Sequence, residues 1–160
     1  GFWVAGDMLD QSEIPTTGSA SMSGKAVFNV AYRYNQANSD YGVKQYSGHA
    51  TVNGSFNWGS GSYSGQLDFT NFDSGNSLVS NAGFTSFSVS LAGSGATYAG
   101  SLNDTNNGWT REAVIAGALY GNNTPVESGG RISVGLSKSG SLGTSGANDF
   151  YMAEGIYLID

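Results

Sequence analysis

No segment of the 160-residue chain sustains a 3.6-residue apolar period; its apolar residues recur every second position in short runs. The runs stop at clusters of Gly, Asn, Ser and Asp, which is the pattern of antiparallel strands joined by turns. Ser47 to Trp58 is the clearest run, with Ala50, Val52, Phe56 and Trp58 on one parity and Gly54 between them. Gly59-Ser60-Gly61 then turns the chain into Tyr63, Gly65, Leu67 and Phe69, a second alternating run, so the two predict a hairpin. Ala26 to Tyr32, Phe84 to Leu91, Ala96 to Leu102, Ala113 to Tyr120, Arg131 to Leu136 and Met152 to Ile159 read as further strands. Phe2–Ala5 and Gly18–Gly24 raise the count to nine or ten. Helix is nearly absent: the one turn suggested is at Pro125-Val126-Glu127, where Pro suits a first helical position.

Many short strands at this spacing close into a barrel or stack as a sandwich. Alternation gives each strand one wet face. Glycines inside strands (Gly54, Gly65, Gly100) suit the bends of a small closed barrel, which favours the barrel. Twenty-five glycines would also suit a disordered chain, but 39% hydrophobic and 12% aromatic residues supply a core. A compact chain of this length buries roughly 70% of its unfolded surface and folds as one domain. Residues 1–17 form a leading strand and loop, and 18–160 the barrel. Four polar stretches (35–46, 73–81, 103–111 and 137–149) read as long loops. Alternate connections of a meander fall at one end, so these loops are expected on one rim, which with exposed strand edges is the expected binding surface.

Charge and residue inventory exclude several chemistries. Six Lys+Arg against twelve Asp+Glu give a net charge of −6, a poor match to phosphate backbones, so no nucleic-acid partner is expected. No apolar run is long enough for a transmembrane helix. Zero Cys excludes disulfides, thiolate metal sites and cysteine nucleophiles. His49 is the single histidine, at a strand start and on the opposite parity from Ala50 and Val52. It is the one candidate haem ligand, set against the plainer reading of a solvent-facing strand His. Asp40, Asp73, Asp104 and Asp149 stand in oxygen-rich loops but lack calcium-loop spacing, and Asp commonly starts turns, so no metal is expected. A jelly-roll glycanase would need two facing carboxylates; Glu112 and Glu154, both at strand starts, are the available pair. A Gly-x-Ser-x-Gly elbow and a phosphate-binding loop are both missing, and no catalytic residue or cofactor is predicted. Trp58, ending a strand, and Trp109, in Asn106-Asn107-Gly108-Trp109-Thr110, are candidates for stacking on a sugar or anchoring a partner. The chain opens at Gly1 with neither an initiator Met nor a signal peptide, as a processed product does.

Several segments resemble one family. Gly18-Ser19-Ala20-Ser21-Met22-Ser23-Gly24-Lys25-Ala26 looks like the G-x-A-x-Y-x-G-x-A strand that opens the β-barrel domains of transferrin-binding protein B-like surface lipoproteins, with Met22 at the usual Tyr. The hairpin Gly48 to Phe69 and the segment Tyr98-Ala99-Gly100-Ser101-Leu102 are similar to later strands of those domains. Gly117-Ala118-Leu119-Tyr120-Gly121 followed by Pro125-Val126-Glu127-Ser128-Gly129-Gly130-Arg131 resembles their G-x-F-Y-G…E-x-G-G signature, with Leu119 at the usual Phe. Ala153-Glu154-Gly155-Ile156-Tyr157 is similar to the last strand.

The residues themselves read as a turn at Pro125-Val126-Glu127 that Glu127 supports, and the resemblance implies a single antiparallel eight-stranded barrel filled by side chains. It also implies an exported protein at the outer-membrane surface of a Gram-negative bacterium. Such a protein binds a host protein or haem, or serves in assembly with a component of its own cell envelope. The leading expectation is therefore a non-enzymatic extracellular binding protein. Haem or carbohydrate binding by rim loops is the alternative, and a glycanase ranks below both.

Overall fold

The computed structural model describes residues 6–35, 41–122, 124–138 and 149–160. Eight strands follow one another in space as in sequence and close into an antiparallel barrel. They are β1 (Ser19–Asn35), β2 (Tyr41–Trp58), β3 (Tyr63–Thr70), β4 (Ser86–Ser94), β5 (Thr97–Asn106), β6 (Trp109–Gly121), β7 (Pro125–Lys138) and β8 (Asp149–Ile159). The expected fold class is met. Eight strands arise where ten runs are countable because Gly18–Gly24 and Ala26–Tyr32 are one strand, continuous through Gly24. The proposed strand Phe2–Ala5 lies outside the described residues.

Alternation is realised as inside and outside. Ala26, Phe28 and Val30 of β1, Val52 and Phe56 of β2, Leu67 and Phe69 of β3, and Tyr151, Ala153 and Tyr157 of β8 all point inward and are buried. Ser, Thr, Asn and Gln dominate the outward positions of β3, β4 and β5. That arrangement is the reverse of a lipid-embedded barrel, whose apolar side chains face out. Among the described residues no helix is long and apolar enough to cross a membrane.

Aromatic rings fill the interior, and inward glycines make room for them. A Cβ at Gly117 would stand 2.3 Å from the Tyr157 hydroxyl and 2.6 Å from Cζ of Tyr98. These two rings meet there through a chain of hydrogen bonds. The Tyr157 hydroxyl donates to that of Tyr98 at 2.7 Å, Tyr98 and Ser128 share a bond of 2.5 Å, and Ser128 Oγ donates to the Ala118 carbonyl at 3.2 Å. Buried hydroxyls that are paired in this way avoid the desolvation cost of orphaned ones. At Gly121 (φ 153°) the β6–β7 register shifts, and a Cβ would lie 2.1 Å from the Thr124 carbonyl oxygen.

Connections β1–β2, β3–β4, β5–β6 and β7–β8 fall at one end, as the meander reading anticipates. The stretch 73–81 lies in a long connection as expected, and 137–149 falls mostly outside the described residues; the other two differ from expectation. The stretch 103–111 is mostly strand: β5 and β6 are joined by two residues, Asn107 (φ 52°) and Gly108 (φ 78°). Positive φ at both positions is what a type I′ hairpin turn requires. The stretch 35–46 is also largely strand, since β2 begins at Tyr41.

The β3–β4 connection folds into the barrel end and plugs it. Phe72, Val79, Ala82 and Phe84 are fully buried there. It carries a short helix, α1 (Ser77–Asn81), whose first turn is capped by Asn76 Oδ1 accepting from the Leu78 N–H at 2.8 Å. The helical turn anticipated at Pro125 is instead the start of β7, where a residue without an N–H is tolerated. At the opposite end Leu9 is buried, and its N–H donates to the Leu119 carbonyl at 3.2 Å, so the leading segment covers that opening.

Candidate functional site

Both barrel ends are covered by the chain itself, the β3–β4 connection at one and the segment around Leu9 at the other. The plug is fastened on two sides. Arg111 donates from Nη1 to the carbonyls of Ala82 (3.3 Å) and Gly83 (3.0 Å), and pairs through Nε and Nη2 with Asp104 (2.7 and 2.6 Å). The Arg111 guanidinium bonded to Asp104 holds that carboxyl below its usual range. On the other side the Tyr46 hydroxyl donates to the Asp73 carboxylate and accepts from Asn76 Nδ2 at 2.8 Å. Partial burial, then the bond to Asp73, raises the Tyr46 pKa. Tyr151 nearby has no hydrogen-bond partner for its hydroxyl among the described residues. Burial first, and the Asp73 charge second, raise its pKa as well.

The residues singled out in the sequence are dispersed. Trp109 is not an exposed loop residue but the first residue of β6, 2% exposed and part of the core, because the Asn-Gly turn is too short to hold it in solvent. Trp58 is half-buried at the other end, stacked on Phe56 (centroids 5.7 Å, planes 5° apart) and edge-on to Tyr63. These two tryptophans therefore sit at opposite ends of the barrel and form no common platform.

His49 is exposed on the outer face opposite Val27, away from the inward tyrosines. Its carbonyl accepts from the Asp73 N–H at 3.1 Å. Of the loop aspartates, Asp40 lies outside the described residues, Asp73 and Asp104 are bonded as above, and Asp149 is buried. Among the described residues no three His, Asp or Glu side chains gather to hold a metal ion.

Glu112 and Glu154 both face outward, with β7 between them: Glu112 lies opposite Gly135, and Glu154 opposite Ser133. Asn103 Nδ2 donates to Glu112 at 3.3 Å. Glu127, expected to support a turn, stands exposed within β7 opposite Tyr120.

The outer wall made of β2, β1, β8, β7 and β6 was not singled out by the sequence, and it is the most distinctive surface. It is hollowed into a shallow depression of about 1020 Å³, floored by Gln45, Asn29, Glu154, Arg131 and Val114 among others. Five strands at about 4.8 Å spacing make it roughly 20 Å across. Val27 (44% exposed), Met152 (50%), Leu158 (49%) and Val114 (57%) stand out from this wall. The outward positions of β3 and β4 include Ser64, Gln66, Asp68, Ser86, Ser88 and Ser90, so that side is polar, whereas the β2-β1-β8-β7-β6 wall mixes exposed apolar with polar and charged residues. Lys25 beside Leu158, and Arg131 and Glu154 within the depression, supply charge at its edge and floor. A sequence signal for this wall does exist. In Ala26-Val27-Phe28 and Ile156-Tyr157-Leu158-Ile159 both parities are apolar, which marks a strand with no wholly polar face. The chain matches no protein-family model and no curated protein sequence.

Proposed function

We propose that this protein is a non-enzymatic binding module of the bacterial cell exterior, and that it recognises another protein through the hollowed wall β2-β1-β8-β7-β6. The observation carrying this reading is the pairing of a filled interior with an outer depression of mixed apolar and polar lining. Phe72 and the inward tyrosines fill the barrel with side chains, which favours recognition on the outer wall over a ligand held inside. A shallow basin about 20 Å wide suits a helix or hairpin of a partner, since a helix with its side chains is about 10–12 Å across. Apolar side chains such as the exposed Met152 and Val114 and the half-buried Ile156, interspersed with the polar and charged Asn29, Arg131 and Glu154, suit a protein-recognition surface. Export to a Gram-negative surface and a partner from the host or the cell's own envelope follow from the resemblance of Gly18–Ala26 and Gly117–Arg131 to transferrin-binding protein B-like barrels.

The test is capture of partners from serum and from an envelope fraction with immobilised wild-type protein, Met152→Asp and Ser88→Asp. Both substitutions are at exposed outward positions, on opposite sides of the barrel. A partner retained by wild type and Ser88→Asp and lost by Met152→Asp supports the assignment. Equal retention by all three removes the wall from it. A haemin titration with a Soret shift that disappears in His49→Ala would move the function to haem.

A further inference from the structure

We infer that the wall takes an acidic amphipathic helix of the partner, whose carboxylates pair with Lys25 and Arg131. The inference rests on the reading of this wall as a protein-recognition surface and names the chemistry of what it recognises. Of the six Lys and Arg side chains, Arg111 pairs with Asp104, Arg33 and Lys138 stand over the Phe150 and Trp109 rings, and Lys44 is engaged within the chain. Lys25 and Arg131 alone are left without a hydrogen bond or ion pair among the described residues, and both stand exposed on this wall. The register puts them in two adjacent rows that cross the strands. One row is His49, Val27, Ile156, Arg131 and Ala116; the next holds Lys25, Leu158, Gly129 and Ala118. Neither row contains an acid. The nearest outward carboxylates, Glu154 on one side and Glu127 and Asp160 on the other, lie one row beyond.

The strip between those acids is apolar, with two free cations set into it. Exposed Val27 and Leu158 and half-buried Ile156 lie between Lys25 and Arg131. Two strand spacings of about 4.8 Å and two residue rises of about 3.4 Å separate the cations by roughly 12 Å. Seven or eight residues of helix rise about 10–12 Å, so carboxylates at that spacing on one helix face meet both. A helix fits better than a strand here, because β1, β8 and β7 use their backbone groups in ladders on both sides and offer only side chains. Its width of about 10–12 Å covers both rows. On a chain of net charge −6, acids of the partner gain most at this strip. Glu154 and Glu127 repel them from the rows beyond, which fixes where the helix lies.

The probe is a synthetic Ala/Leu helix of about 18 residues, roughly 27 Å long, with two Glu seven residues apart on its leucine face. It is titrated into the isotope-labelled full chain, beside the same helix with Lys in place of Glu. Amide shifts at Val27, Arg131, Ile156 and Leu158 are expected with the Glu helix and not with the Lys helix. Lys25→Glu and Arg131→Glu together should weaken that binding about ten-fold, the scale of two exposed ion pairs turned into repulsions. Ser88→Glu, on the opposite side of the barrel, should leave it unchanged. If the doubly reversed chain does not fold, Lys25→Gln with Arg131→Gln decides in the same direction. Equal response to both helices, preference for the Lys helix, shifts confined to other walls, or no shift at all overturns the acidic helix. A partner whose capture depends on Met152 but survives the reversal of Lys25 and Arg131 refutes this pairing and leaves the proposed function standing.

Discussion

Removing the Phe72 ring tests whether the β3–β4 connection is part of the barrel core. The ring is fully buried and stacks on Phe28 at 4.5 Å between centroids, with planes 22° apart. It also meets Phe87 at 5.2 Å, Phe84 at 6.0 Å and Tyr151 at 6.3 Å. Phe→Ala in a packed core costs about 3–5 kcal/mol, the lost transfer energy plus the cavity left behind. Four ring neighbours place Phe72 toward the upper part of that range, since each aromatic pair adds about 0.5–1.5 kcal/mol beyond area. Against a total stability of about 5–15 kcal/mol, this is a large fraction. For a domain of this size it lowers the melting temperature by on the order of 10 °C. Guanidinium unfolding of wild type, Phe72→Ala and Phe72→Leu measures it. Phe72→Leu should lose far less, because most of the volume is kept. A loss below about 1 kcal/mol in Phe72→Ala would refute the plugged barrel and reopen the interior to small ligands.

Gly117→Ala should destabilise by about 1–3 kcal/mol through overpacking against Tyr98 and Tyr157, read by the same unfolding curves; a neutral result contradicts the tight ring contact. Arg111→Ala removes the clamp on the Ala82 and Gly83 carbonyls and should cost about 1–2 kcal/mol, with little of it from Asp104, whose side chain is 39% exposed. Arg111 lowers the folded Asp104 pKa, so its pairing contributes above the ordinary value of 3.8 and fades as pH falls through the depressed folded value; the wild type–Arg111→Ala gap should narrow in acid. Burial raises the pKa of Tyr63, Tyr98, Tyr151 and Tyr157, so their contribution is complete below the unfolded tyrosine value near 10 and declines above it. Phenolate absorbance should therefore appear in two stages, exposed tyrosines first and the buried ones only as the barrel unfolds.

The hairpin from Gly48 to Phe69 is legible in the sequence because one parity is uniformly apolar and the turn is glycine-rich. The barrel follows from repeating that pattern along the chain. Three features were obscured for physical reasons. Asn107-Gly108 looks like loop composition, but it is the minimal turn for two long strands, and it carries Trp109 into the core. α1 is five residues long, too short to show a helical period, and it is held by the Asn76 cap and by burial of Leu78 and Val79. That β2 runs beyond its ladder with β3 depends on where β3 stops, a property of pairing that no single strand displays. The outer wall is half-legible: Val27, Ile156 and Leu158 are apolar on the parity that should be wet, yet only closure of the barrel puts them side by side.

Site-specific photo-cross-linking tests the assignment of recognition to that wall most directly. A photoreactive side chain is placed at Ala31 or Ser133 in the depression, and at Gln66 or Ser88 on the polar side. Partner adducts from serum or envelope fractions should form at Ala31 and Ser133 and be absent at Gln66 and Ser88. Adducts concentrated at Gln66 and Ser88, or equally distributed around the barrel, would contradict the account.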